Sequence, residues 1–305
     1  MFGAFFALPF MLSDMRAQFS PLAIAASIAY GVIIITAFFS PFLRLPEHHG
    51  LIAAAIVSSP FRYTFNSSGI LYEASSMNES SSPYWWLDSG AKFILTGDFG
   101  ETVQGSLLVG DPWRDAYRAS NPVDTDGGAH PQNIFRLVSR STWNSVRLEA
   151  NFLITKDNLS TSSNRNQSNG LLLMSRYQSG QTLYYAGIRV DGTAVIKKKY
   201  SGTYYTLAQK QIFAGTYSRD SSPNILPHGH WIRLRSDTTT NSDGSVTIIL
   251  SMQNPADAGS WTQLLSARDD GVKFAATPPI TGSQYVGIRT DFMDVQFDSF
   301  LAENI

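Results

Sequence analysis

The chain contains no cysteine, so disulfides, thiolate nucleophiles and thiolate metal sites are all excluded. It is also poor in charge. Asp, Glu, Lys and Arg make up 15% of its 305 residues, where a globular protein carries about 25%. The two signs nearly cancel to a formal net charge of −1, so there is no global field to draw the chain to nucleic acid. Beyond residue 57 no apolar run is long enough to cross a bilayer, no helical period persists for three turns, and no phosphate-cradling glycine loop or internal repeat occurs. The sequence assigns no Ser-His-Asp triad.

What is present is apolar, aromatic and rich in β-formers. Hydrophobic residues reach 43% and aromatics 12%, enough for one large core. Tyr, Thr, Ser, Asn and Gly are the residues of pleated strands and tight turns.

Residues 21–43 carry no charge, and about 20 apolar residues span a bilayer. Asp14 and Arg16 precede this run, and Arg44 and Glu47 follow it, so charge sets no orientation. Three readings are open. The run is an uncleaved anchor, a signal peptide that is cut (with Met15-Arg16 as its basic start), or part of a hairpin with the shorter apolar stretches 2–12 and 51–57. The expectation is a membrane segment over residues 1–57, with the rest of the chain outside the cytoplasm, tethered or released. Residues 58–80 have the Ser- and Asn-rich composition of a flexible linker. A single all-β domain is expected over residues 81–305.

In that domain the hydrophobic period is two. Val146, Leu148, Ala150, Phe152 and Ile154 alternate with Arg147, Glu149 and Asn151. Asp191-Gly192, Ser201-Gly202 and Asp243-Gly244 each separate two β-rich runs, which predicts three hairpins. Many short strands with regular turns point to a two-sheet sandwich.

The order of these runs resembles the concanavalin A-like and laminin G-like jelly rolls. The strand at 146–152 is followed by Ser168-Asn169-Gly170 and its apolar run, then Tyr185-Ala186-Gly187-Ile188-Arg189, His230-Trp231, Gly287-Ile288-Arg289 and Val295-Gln296-Phe297-Asp298. The resemblance implies a two-sheet antiparallel jelly roll. Its members include lectin-like modules, glycoside hydrolases and polysaccharide lyases. The Glu-x-Asp-x-x-Glu strand of the retaining glycosidases is missing, as is the Gln-x-His of alginate lyases, so no catalytic residue is carried over.

The polar stripes read as an acidic-polysaccharide surface, because Arg and Lys pair with carboxylates and aromatic rings stack on sugars. Arg147, Glu149, Asn151, Arg176, Lys197 and Lys199 are the expected contacts. Elimination from a uronate needs a cation on the carboxylate, a base for the C5 proton and an acid for the leaving oxygen. Arg189, Tyr185, Gln178, Tyr200 and His130 are the candidates, with His228 a further proton carrier. The bland reading stands beside this one: Lys197-Lys198-Lys199 also suits a solvated strand edge, and the tyrosines suit half-buried strands.

Asp124 and Asp126 open like a calcium loop but lack its remaining ligands. Calcium is therefore an optional structural ion, and no cofactor is required. His228 and His230 share a strand face without a third ligand. Asn158 and Asn166 head glycosylation-type triplets. Two other function classes stay open: a non-catalytic lectin-like or adhesion module, and a structural protein of the cell envelope.

Overall fold

The computed structural model describes residues 52–253 and 259–305. The 21–43 segment lies outside them, and among the described residues no helix is long and apolar enough to cross a membrane. The described chain is built of strands. The first eight are β1 (Phe61–Tyr63), β2 (Ser68–Tyr72), β3 (Trp85–Ser89), β4 (Lys92–Thr96), β5 (Gly100–Thr102), β6 (Phe135–Trp143), β7 (Val146–Asp157) and β8 (Gly170–Ser179). Then come β9 (Thr182–Arg189), β10 (Thr193–Tyr200), β11 (Thr203–Gln211), β12 (Trp231–Thr240), β13 (Val246–Gln253), β14 (Trp261–Asp269), β15 (Gln284–Thr290) and β16 (Met293–Asn304).

They form two antiparallel sheets. The larger runs β14-β13-β12-β7-β16-β5-β4-β2, with β1 paired to β16, and the smaller runs β11-β10-β9-β8-β15-β6-β3. The last two strands enter the middle of the two sheets: β15 lies between β8 and β6, and β16 between β7 and β5. Both sheets therefore close only when the C-terminal residues arrive. The three hairpin turns stand where the sequence places them, with Gly192, Gly202 and Gly244 at φ of 78°, 86° and 81°.

The core lies between the sheets. The whole apolar stripe of β7 faces it, each residue at most 1% exposed. Opposite strands supply Leu171, Leu173, Tyr184, Ala186, Ile188 and Ile196. Phe297 is ringed by Phe135, Phe152 and Phe93 at centroid distances of 5.3, 5.7 and 5.9 Å.

Residues 58–80 are not a linker. They contain β1 and β2, and they bury Phe61, Phe65 and Leu71. Phe65 stacks on Trp85 at 5.8 Å. The alternation Phe61-Tyr63-Phe65 was the signal, masked by the surrounding serines. The stretch after β5 also holds a helix. Pro112–Ser120 forms helix α1, capped by the Asp111 side chain on Trp113 N–H. Asp followed by Pro is a helix-start pair.

One outlying loop is held by a titratable contact. The irregular segment 212–230 is tied to β7 by Asp157, which takes Asn224 Nδ2 at 2.8 Å and His228 Nε2 at 3.1 Å. The bond to Asp157 raises the His228 pKa above its ordinary value, against some desolvation. A raised folded-state pKa stabilises below the unfolded value of about 6.5, and the contribution is lost as pH rises through the folded value. Hydrogen exchange in this loop should quicken between about pH 6 and pH 8 beyond the intrinsic rate change, and the extra component should vanish in His228→Gln.

Candidate functional site

Alternation assigns each strand residue to the core or to an outer face. On β8, Leu171 and Leu173 face the core, while Leu172 and Met174 face outward. The same parity turns Tyr185 and Arg189 of β9, Lys197 and Lys199 of β10, Tyr204 of β11 and Arg289 of β15 to the outer side of the smaller sheet. A groove of about 400 Å³ lies there, lined by Tyr185, Lys197, Tyr204, Arg289 and Leu172. Asp124, Asn164, Asn166 and Asp291 border it.

The groove is crowded with positive charge. Arg289 donates to Asp291 at 2.8 and 3.0 Å, and Arg189 to Asp191 at 2.7 Å. Lys197 and Lys199 add two ammoniums, 5.9 and 4.7 Å from the centre of the Tyr204 ring. Lys197 has a pKa below the usual lysine value, first through burial and then through Arg189 and Arg289. Burial of Arg289 opposes its charge, but Asp291 and the neighbouring phenols outweigh this.

Two tyrosines respond in opposite directions. Burial alone would raise Tyr204, yet Arg289 and Lys199 outweigh it and bring the phenol below its ordinary pKa. Tyr185, its edge-to-face neighbour at 6.3 Å, is held well above the ordinary value, chiefly by burial. Neither Tyr204 nor Arg289 was among the residues singled out from the sequence. Tyr204 reads there as a strand former, and Arg289 reaches the groove only because β15 inserts beside β8.

The other expected residues lie elsewhere. Arg147, Glu149 and Asn151 are on the larger sheet, whose outer face points away from the groove. The charges of Arg147 and Glu149 are already matched. Arg147 pairs with Asp237 at 2.8 Å and Glu303 at 3.3 Å, and Glu149 with Arg233 at 2.7 Å and Arg235 at 2.5 Å. Both of the latter guanidiniums lie over the Trp261 ring. A face neutralised by its own carboxylates has little charge to offer an anion.

Arg176 is fully buried. A bulge with φ of 51° turns it inward, where it donates to Trp143 O, Asn144 Oδ1, Gly282 O and Thr240 Oγ1. Gln178 is exposed beyond that bulge. Tyr200 has the parity of Ile196 and packs on the core side. Lys198 points away from its two neighbours and into the sandwich, so it is not part of a solvated strand edge. His130 stands outside the groove, between Ser106 and Asp126.

Asp124 and Asp126 are turned to hydrogen-bond donors. Asp124 accepts from Ser162 Oγ at 2.5 Å and Asn164 Nδ2 at 3.0 Å, and Asp126 from Ser160 Oγ at 2.5 Å. Among the described residues no group of three or more His, Asp or Glu is placed to hold a metal. His228 is engaged by Asp157 rather than by His230. Asn158 is buried against Asp294, which leaves Asn166 as the accessible glycosylation-type asparagine.

No family model and no curated protein matches the sequence. Similar solved structures include the carbohydrate binding module CBM66 from Bacillus subtilis, 12% identical over 58% of this chain and 85% of that one, with a TM-score of 0.38. The GH43 protein BlXynB from Bacillus licheniformis is 12% identical over 80% of this chain and 39% of its own, with a TM-score of 0.44. The PL-14 alginate lyase from Aplysia kurodai is 10% identical over 78% of this chain and 100% of its own, with a TM-score of 0.38. Identities of 10–12% and TM-scores below 0.5 assign no role to this chain. The described residues form the two-sheet antiparallel sandwich expected from the sequence.

Proposed function

We propose that the outer groove of the smaller sheet binds an acidic polysaccharide outside the cytoplasm. The observation that carries this reading is the excess of cations over carboxylates around two tyrosine rings. Lys197 and Arg289 line the groove with Arg189 and Lys199 on the same sheet face, four cations against the three carboxylates of Asp124, Asp191 and Asp291. The lowered Lys197 pKa reports mutual repulsion as well as burial, and a bound carboxylate relieves that repulsion. Tyr185 and Tyr204 supply flat apolar surface for a sugar ring.

The same groove has the parts for β-elimination. Arg289 or Lys197 would neutralise the uronate carboxylate. Tyr204, with its lowered pKa, would take the C5 proton, and Tyr185, held protonated, would give one to the leaving oxygen. The lectin-like alternative uses the same contacts without turnover.

Retention of the protein on immobilised polyuronate, against a neutral glucan, tests the binding claim. Lys197→Ala is expected to weaken retention about tenfold, as loss of a charge-assisted contact does. Equal retention on both columns would sink the acidic-glycan reading. Ultraviolet absorbance of the unsaturated uronate tests elimination. A signal lost in Tyr204→Phe, with binding kept, establishes the lyase; binding without any signal assigns a binding module.

A further inference from the structure

A second constellation lies outside the groove. Ser106 Oγ is 2.8 Å from His130 Nε2, and His130 Nδ1 is 2.8 Å from Asp126 Oδ2. An ionised carboxylate only accepts, so Nδ1 carries the ring proton and Nε2 is left to accept from the Ser106 hydroxyl. Asp126 is itself oriented, by Ser160 Oγ at 2.5 Å and Asn133 Nδ2 at 3.3 Å. This is a nucleophile, a base and an orienting acid in hydrogen-bond sequence.

The surrounding backbone is held in place. Gly105 N–H donates to Asp294 Oδ2 at 2.6 Å, and Gly105 O accepts from Gln132 Nε2 at 2.8 Å. Leu107 N–H bonds Ala129 O at 2.8 Å, and Leu107 O accepts from Arg114 Nη1 at 2.7 Å. Asp294 and Gln132 are buried, so the backbone on the Gly105 side of Ser106 is held by groups that water does not loosen, and the Leu107 side is held by Ala129 and the half-buried Arg114. Its own side chain is exposed, which lets an acyl carbonyl reach Oγ. A staple that only closed a loop would not need an exposed hydroxyl set between two anchored residues.

We propose that Ser106, His130 and Asp126 form a nucleophilic site for carboxylic esters. Ser106 Oγ attacks the ester carbonyl as its proton passes to His130 Nε2, and the imidazolium is held by Asp126. The tetrahedral alkoxide collapses, the C–O bond to the alcohol breaks, and His130 returns the proton to the departing oxygen. Water, deprotonated by His130, then attacks the acyl-Ser106 carbonyl. The acid leaves, and the serine hydroxyl is restored. Ester and water become acid and alcohol, with no other reactant. Asp126 is two residues from Asp124 on the groove border, so an O-acylated sugar is the ester nearest to hand. That refinement rests on the glycan reading; the ester chemistry does not.

The full chain treated with a fluorophosphonate probe should carry the phosphonate on Ser106, located by peptide mass mapping. Its turnover of p-nitrophenyl acetate should fall about 100-fold in Ser106→Ala and in His130→Ala, the loss expected when nucleophile or general base is removed. Ser106→Ala deletes only an exposed hydroxyl, so its circular dichroism and Tm should match the parent. A folded parent with no label on Ser106, or with ester turnover equal to that of Ser106→Ala, overturns the proposal. Retention of Ser106→Ala on the polyuronate column reports on the groove separately.

Discussion

Replacing Lys198 by alanine is expected to destabilise the domain by about 3–5 kcal/mol, the cost of leaving one partner of a buried ion pair alone. Lys198 Nζ and Asp269 Oδ2 are 2.7 Å apart, and both side chains are wholly buried. The ammonium also donates to Thr277 O at 2.9 Å and Pro278 O at 2.7 Å. Asp269 accepts from Tyr184 O–H at 2.5 Å, and that hydroxyl in turn accepts from Ile280 N–H at 2.9 Å. One ion pair thus fastens β10, β9 and β14 to the loop before β15. In Lys198→Ala the Asp269 carboxylate keeps its tyrosine but loses its cation, in a place where water cannot replace it. Urea unfolding measures the loss, and limited proteolysis should cut first within residues 270–280. The double change Lys198→Met with Asp269→Leu should recover part of the stability, because an apolar pair carries no desolvation cost. A single-variant loss below about 1 kcal/mol would contradict the buried pair.

Gly128→Ala should cost about 2–5 kcal/mol, from overpacking and a left-handed backbone together. Gly128 has φ of +84°, and a Cβ there would meet Arg114 O at 1.9 Å and Arg118 N at 2.7 Å, both backbone atoms of α1. No side chain can step aside, so either α1 or the turn must move. The turn is the one that carries Asp126 and Gly127, also at positive φ, and it sets Asp126 beneath His130. The expected result is a lower Tm together with loss of fluorophosphonate labelling at Ser106. Gly110→Ala is the control, since it also has positive φ but no atom within 4 Å of the added carbon. Equal effects from the two variants would mean that backbone conformation alone, and not the approach of α1, makes Gly128 necessary.

Much of the fold could be read from one strand at a time. Period-two alternation sorts Val146, Leu148, Ala150, Phe152 and Ile154 from their polar neighbours because successive side chains leave a strand on opposite faces. The Gly turns at 192, 202 and 244 announce hairpins because few other residues accept their dihedrals. The lack of cysteine leaves stability to packing. Those properties are local, so the sequence determined them.

Alternation says which side of a strand a residue takes, but not which sheet the strand joins. Arg147 and Glu149 looked like neighbours of Tyr185. They are across the sandwich, because β7 pairs with β12 and β16 while β9 pairs with β8 and β10. Arg176 left its stripe because a single bulge reverses parity, and nothing in the residue types marks where the bulge falls. Tyr204 and Arg289 meet only when the C-terminal β15 threads into the smaller sheet. Ser106, Asp126 and His130 converge through a helix cap, three left-handed residues and a buried carboxylate from β16. Lys198 finds Asp269 across the thickness of the core. Such meetings are set by long-range pairing and loop closure, whose free energies belong to the assembled sandwich and not to any segment. The tertiary structure therefore decided the groove, the ester site and the buried ion pair.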